Sequence, residues 1–228
     1  MPVHLRPSAA TAADAIICGD PARALGLAQE LLAEPRMSNH HRGLWGYYGQ
    51  TPEGLPLTIQ ATGLGGPSAA VVISELAELG VERLIRLGTC TSTDPAAQLG
   101  SALVLSPVLG LDGTSAALIG HGAELHGDPA FIAHLVAAGL EIDRALSTDL
   151  YYPETIPVEA GGARIHDLQS AAALAAAQSL GLRIAATAII ARCPQGRLED
   201  EPLEAAGLRL GRILTVALTS GSAAAVLP

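Results

Sequence analysis

Short apolar runs alternating with longer amphipathic stretches predict an α/β fold, in a single domain spanning residues 1–228. Three observations carry this reading. The apolar runs are brief enough for buried strands, and the stretches between them have helical spacing. Glycines and polar residues cluster directly behind the apolar runs, where α/β sheets place ligands. The chain has 228 residues, 49% of them hydrophobic, enough for one full core, with no internal repeat, long charge run or interdomain linker.

Taken in order, Ala15–Cys18 reads as a first buried strand, followed by GlyAspPro at 19–21. A helix then carries Leu25, Leu27, Ala28, Leu31 and Leu32 on its inner face. Leu44–Tyr48 and Leu57–Thr62 read as a strand pair around ThrProGluGly at 51–54. Gly63, Leu64, Gly65 and Gly66 break the second strand, and Pro67 opens a helix to about Leu79. Leu84–Gly88 and Ala102–Ser106 are further strands, and Pro129–Ala138 and Leu168–Leu180 are helices. Ile184–Ala191 is another apolar strand, and Leu203–Leu218 a closing helix.

All thirteen basic residues are arginine, and lysine is absent. That excludes Schiff-base lysine chemistry and a P-loop. Any anion must be held by arginine, backbone N–H groups and hydroxyls. A net charge of −9 and 3% aromatics argue against a nucleic-acid partner. Cys18, Cys90 and Cys193 are too few and scattered for a disulfide framework or a CxxC site, which points to a reducing cytoplasm. No secretory or membrane segment is expected. MetProValHisLeuArg at the start lacks an apolar region, and the long uncharged stretch Leu55–Ser74 is broken by three glycines and Pro67.

Three strand-to-loop junctions are rich in anion-binding material. They are Gly19 to Arg23, Thr62 to Ser68, and Arg86 to Thr91. A glycine turn also serves simple turn geometry. Arg86 lies in the run LeuIleArgLeuGly, where an arginine is costly without a partner, and this favours a functional role. The seven histidines show no zinc spacing, so no metal site is expected. GxSxG is missing, and the 63–66 glycines have the wrong spacing for a dinucleotide fingerprint. Cys90 reads as a buried, inert thiol, since no His–Asn arrangement can be tied to it.

The order of these junctions resembles the nucleoside phosphorylases of the purine nucleoside phosphorylase and uridine phosphorylase family, from His4 to about Leu218. The markers are ValHisLeu at 3–5, GlyAspProAlaArg at 19–23, HisArgGlyLeuTrpGly at 41–46, ThrGlyLeuGlyGlyProSer at 62–68, ArgLeuGlyThrCys at 86–90, LeuAspGly at 111–113 and SerThrAspLeuTyrTyr at 147–152. The 41–47 stretch looks most like bacterial purine-type members, and the 62–68 stretch looks equally like uridine-type members. The resemblance implies a three-layer α/β/α fold whose central mixed, partly barrel-like sheet is flanked by helices. It implies reversible phosphorolysis of a nucleoside to free base and sugar 1-phosphate, with inorganic phosphate as co-substrate and no metal or organic cofactor. Gly19, Arg23, Arg86 and Thr89 would form the phosphate site, and Arg42 would reach the phosphate of a neighbouring subunit. His4 would hold the sugar 5′-hydroxyl across that interface. Cys90, Tyr151, Tyr152, Leu168 and Gln169 would line the base and sugar, with Thr89 beside them. A homodimer would be the catalytic unit, and three dimers a hexamer.

The chain departs from this pattern on its catalytic side. Asp167-Leu168-Gln169 stands where the family reads GluMetGlu, replacing a ribose-holding carboxylate by an amide. On this reading Gln169→Glu would raise turnover on ribonucleosides. Arg192-Cys193-Pro194 stands where purine-type members place an aspartate or asparagine facing the base. Arg192 cannot be a general acid near neutral pH, but it can donate to a base carbonyl. Pro153–His166 is shorter than usual and lacks the uracil-reading residues. Residues 41–48 and that missing segment lean toward a purine substrate, while Arg192 pulls toward a pyrimidine. The remaining alternatives are a catalytically weakened relative that binds nucleoside or phosphate, and a hydrolytic nucleosidase. Retention of Arg23, Arg42 and Arg86 argues against the latter.

Overall fold

The first strand, β1 (Asp14–Cys18), is apolar because both its faces are buried. Ala15 and Ile17 face one layer of helices, while Ile16 and Cys18 face the other. The structure, a computed structural model, describes residues 2–151 and 162–220. Six helices are described: α1 (Pro21–Leu31), α2 (Gly66–Glu78), α3 (Gly113–Ile119), α4 (Pro129–Ala137), α5 (Ser170–Ser179) and α6 (Asp200–Ser220). Helices α1, α4 and α6 pack together on one side of the sheet, and α2, α3 and α5 on the other. The outcome is the three-layer α/β/α arrangement.

The strands after β1 are β2 (Ala33–Asn39), β3 (Gly46–Gln50), β4 (Pro56–Ala61), β5 (Arg83–Ser92), β6 (Ala102–Gly110), β7 (Glu124–Leu125), β8 (Glu141–Ser147), β9 (Ile165–Asp167), β10 (Arg183–Cys193) and β11 (Gly196–Arg197). Pairing runs β5 to β10 to β6 to β8 to β9 and back to β5, so five strands close a ring. From β5 an open arm leads through β1, β4 and β3 to β2. The sheet is therefore mixed and partly barrel-like. Strands β2, β7, β8, β9 and β11 and helix α3 were not expected from sequence. Strand β5 also continues to Ser92, four residues past the expected end at Gly88, because β10 pairs with it well beyond that glycine.

Local sequence explains the helix starts. Pro21 begins α1 while the Asp20 carboxylate accepts the Ala22 N–H. Asp128 caps α4 in the same way, with Pro129 behind it. Helix α5 has Ser170 to Ala177 all buried, so it sits between α2 and the sheet instead of on the surface. Its alanines permit close approach: a Cβ on Gly66 of α2 would stand 3.0 Å from that of Ala172. Leu168 and Gln169, expected in this helix, precede it as loop residues. The loop is stabilised by Asp167, whose carboxylate accepts the Ser170 N–H.

The N-terminal segment is tethered by one buried side chain. The Glu75 carboxylate on α2 accepts the N–H groups of Val3, His4 and Leu5 at 2.9, 3.0 and 2.6 Å, and lies 2.7 Å from His4 Nδ1. Burial pushes this carboxyl up, but the bonds from Leu5, His4 and Val3 outweigh it and hold it at about 2, below the ordinary 4.5. A depressed carboxylate stabilises the fold above 4.5, and that stability is lost as pH falls toward about 2. Glu75→Gln should cost about 2 kcal/mol near neutral pH, since the amide NH₂ would face N–H donors. Urea unfolding across pH should show the wild-type advantage shrinking through that acidic window.

Candidate active site

The cleft arises from a parting of strands. β1 pairs with β5 as far as Leu87, and β9 takes up the same edge of β5 only at Thr91. Gly88, Thr89 and Cys90 therefore have no strand on that edge, while β10 covers the other. A cleft of about 900 Å³ opens there, at the carboxyl ends of parallel β1, β4 and β5. All three sequence-defined junctions meet in it: Gly19 and Arg23, Gly63 to Gly65, and Arg86 to Thr91.

Arg86 lies on its floor and is 5% exposed. Gly88, two residues along the strand, would place any Cβ on the Arg86 guanidinium, so the absence of a side chain there is what lets the arginine lie flat. Nη2 stands 3.2 Å from Asp167 Oδ2. Nε and Nη1 are buried and meet no acceptor among the described residues. Asp167 is itself fixed by the hydroxyls of Ser147 and Ser170 and by the N–H groups of Gln169 and Ser170. The carboxylate thus orients the guanidinium while leaving two of its nitrogens to a ligand. Arg23 reaches the cleft from the first turn of α1, with its stem near Gly207 of α6. A Cβ on Gly19 would approach the Gly63 carbonyl at 3.3 Å, so loops 19–23 and 62–66 sit close together. Cys90 lines the cleft, but burial, and then the nearby Asp167 charge, push its thiol up, so it is no thiolate nucleophile.

Gln169 lines the cleft, and its amide also braces the glycine turn. Its Nε2 donates to the Gly63 and Gly65 carbonyls at 3.0 and 2.9 Å, and its Oε1 accepts the Thr62 hydroxyl at 3.0 Å. The amide ties the glycine turn together, and both its N–H bonds are spent. A glutamate would set a carboxylate against two carbonyl oxygens, which opposes the gain expected from Gln169→Glu.

Tyr151, Leu168 and Arg192 also line the cleft. Sequence reasoning passed over two residues here, His166 and Arg197. The turn after Cys193 could have revealed Arg197, since a tight hairpin returns it beside Arg192. His166 carried no local signal. Tyr152, and most of the Pro153–His166 segment, lie outside the described residues. His4 and Arg42 are not among the residues lining the cleft of their own chain. His4 sits on Glu75, and Arg42 occupies a short helical turn at His41–Gly43 with φ of 58°. Among the described residues no three His, Cys, Asp or Glu side chains converge to hold a metal. No helix among them is long and apolar enough to cross a membrane.

The model of the phosphorylase superfamily matches residues 14–214, most of the chain. The chain belongs to the phosphorylase superfamily. Among superfamily relatives, a DeoD-type purine nucleoside phosphorylase from Oceanobacillus iheyensis is 41% identical over 92 residues, 40% of this chain and 39% of that protein. A uridine phosphorylase from Haemophilus influenzae is 36% identical over 101 residues, 44% of this chain and 39% of that one. The aligned stretch thus spans about two fifths of each relative. In fold, the chain is similar to a purine nucleoside phosphorylase from Toxoplasma gondii solved with immucillin-H. The TM-score is 0.82 over 92% of this chain and 91% of that one, at 19% identity.

Proposed function

We propose that this superfamily member catalyses reversible phosphorolysis of a purine nucleoside, giving free base and ribose 1-phosphate. Inorganic phosphate is the co-substrate, with no metal or organic cofactor. The observation that carries this reading is the buried Arg86, with Nε and Nη1 left over after its pairing with Asp167. Gly19, Arg23 and Thr89 complete a cradle for a dianion around it. A phosphate oxygen attacks the anomeric carbon, the C–N bond breaks, and its electron pair passes to the base. The proton of the phosphate ester returns to the base through solvent. The held dianion is both nucleophile and counter-charge to the oxocarbenium-like sugar.

Arg42 and His4 act on this reading across an interface between two copies, the dimer being the catalytic unit and three dimers a hexamer. The enzyme would work in the cytoplasm, in keeping with three free, buried cysteines. A catalytically weakened relative is a second reading, favoured by the neutral Gln169 whose N–H groups are already engaged. Base release from inosine and uridine, with and without phosphate, separates these. Release that depends on phosphate is expected. Release independent of phosphate would make the protein a hydrolase, and no release from a panel of nucleosides would make it a binding protein.

A further inference from the structure

The Asp167 carboxylate is crowded with donors. Ser147 at the end of β8 stands opposite Asp167 on the parallel strand β9, and its hydroxyl donates to Oδ1. Ser170, the first residue of α5, donates its hydroxyl to Oδ2 at 2.6 Å and its N–H to both oxygens. The Gln169 N–H reaches Oδ1 at 3.3 Å. Ser147 Oγ also accepts the Ala171 N–H at 2.9 Å, so its own proton points at the carboxylate. Both serines are fully buried, and neither lines the cleft.

Arg86 holds this carboxylate loosely. Only Nη2 approaches it, at 3.2 Å from Oδ2, beyond the about 2.7–2.9 Å usual for an arginine on a carboxylate. Elsewhere in the protein an arginine closes fully on its aspartate. Arg83 grips Asp14 with Nε and Nη2 at 2.6 and 2.5 Å, and Arg183 grips Asp128 with the same two nitrogens at 2.8 and 3.1 Å. The further donors on Asp128 are backbone N–H groups, of Ala130 and Phe131. Two hydroxyls set Asp167 apart. A hydroxyl satisfies a carboxylate lone pair with a dipole and adds no charge to the cleft. A closed pair at the floor would instead engage a second nitrogen of Arg86 and cancel more of the charge that a dianion needs.

We infer that Ser147 and Ser170 are positioning residues for the reacting phosphate: their hydroxyls occupy the Asp167 carboxylate, hold its pair with Arg86 open, and so keep Nε and Nη1 free for the dianion. The inference rests on the phosphorolysis reading and deepens it, since it assigns the strength of phosphate binding to two side chains that touch no substrate. Loss of either hydroxyl leaves a buried carboxylate lone pair beside Arg86. The guanidinium then closes on Asp167 at the expense of the phosphate.

The test follows inosine and uridine turnover against phosphate concentration, together with calorimetric titration of inorganic phosphate alone. Ser170→Ala is the cleaner variant, because that hydroxyl bonds Asp167 alone among the described residues. It should raise the phosphate KM and weaken phosphate binding about three- to tenfold, with kcat at saturating phosphate and the nucleoside KM nearly unchanged. Ser170→Thr keeps the hydroxyl and should restore phosphate affinity. Ser147→Ala should act in the same direction and also melt lower, since it strands the Ala171 N–H. It carries the same comparison should Ser170→Ala fail to fold. Phosphate KM and affinity equal to wild type in a folded serine variant overturn the inference, as does a fall in kcat with phosphate binding unmoved. Phosphate binding that weakens in Ser170→Ala, from a protein that releases no base, supports the serine role and overturns phosphorolysis. A wild type that binds no phosphate overturns the inference.

Discussion

Replacing Arg86 by alanine should reduce phosphate-dependent base release by about a thousandfold or more, because the reacting dianion loses its buried charged donors. The guanidinium lies at the floor of the cleft, where water screens little and an ionic hydrogen bond is strong. Removal also strands Asp167, whose side chain is 1% exposed, at a cost of about 3–5 kcal/mol in stability. Activity could therefore fall through unfolding alone. Gly88→Ala separates the two effects. It keeps every charge but places a methyl on the flexible end of Arg86, which must swing aside. That variant should lose less stability than Arg86→Ala, because the displaced charge stays beside Asp167, and show a raised KM for phosphate. Phosphate saturation curves and thermal unfolding of both variants decide the matter. An unchanged phosphate KM in Gly88→Ala would remove Arg86 from the phosphate site.

Gln169→Glu should unfold more easily and turn over more slowly. Near neutral pH the new carboxylate would face the Gly63 and Gly65 carbonyls, at a cost of about 3 kcal/mol. Protonation relieves the conflict only in part, since a carboxylic acid donates one hydrogen bond where the amide donates two. The buried carboxyl would titrate above its unfolded value of about 4.3. Its deficit is therefore smallest below that value and grows as pH rises through the raised one. Urea unfolding of the variant from acid to neutral pH should show this widening gap. Equal stability at neutral pH, or faster turnover, would mean that the glycine turn does not depend on the amide.

What sequence alone disclosed follows from how local each signal is. β1, β4 and β10 were legible because they are buried and so read as apolar runs. β2 and β8 were not, since their exposed positions carry polar residues, and β9 has three residues held only by its neighbours. The junctions at 19–23, 62–68 and 86–91 announce themselves by glycine and arginine within a few positions. The role of Gln169 depends on carbonyls more than a hundred residues away. The placing of Arg192 opposite Thr91 depends on a register shift between two strands a hundred positions apart. Neither leaves a trace in any short window of sequence.

The ring of five strands also governs when the cleft can exist. Its seam is the pairing of β5 with β10, which joins Arg83 to Arg183, residues a hundred positions apart. Long-range pairing of this kind carries the loop-closure entropy before any contact rewards it, and it slows folding. During synthesis the phosphate end, built from residues 19–23, 62–66 and 86–89, is made early, but one edge of β5 stays unpaired until β10 emerges. The growing chain thus carries an unpaired strand edge for much of its synthesis, and the binding cleft is among the last parts of the molecule to be completed.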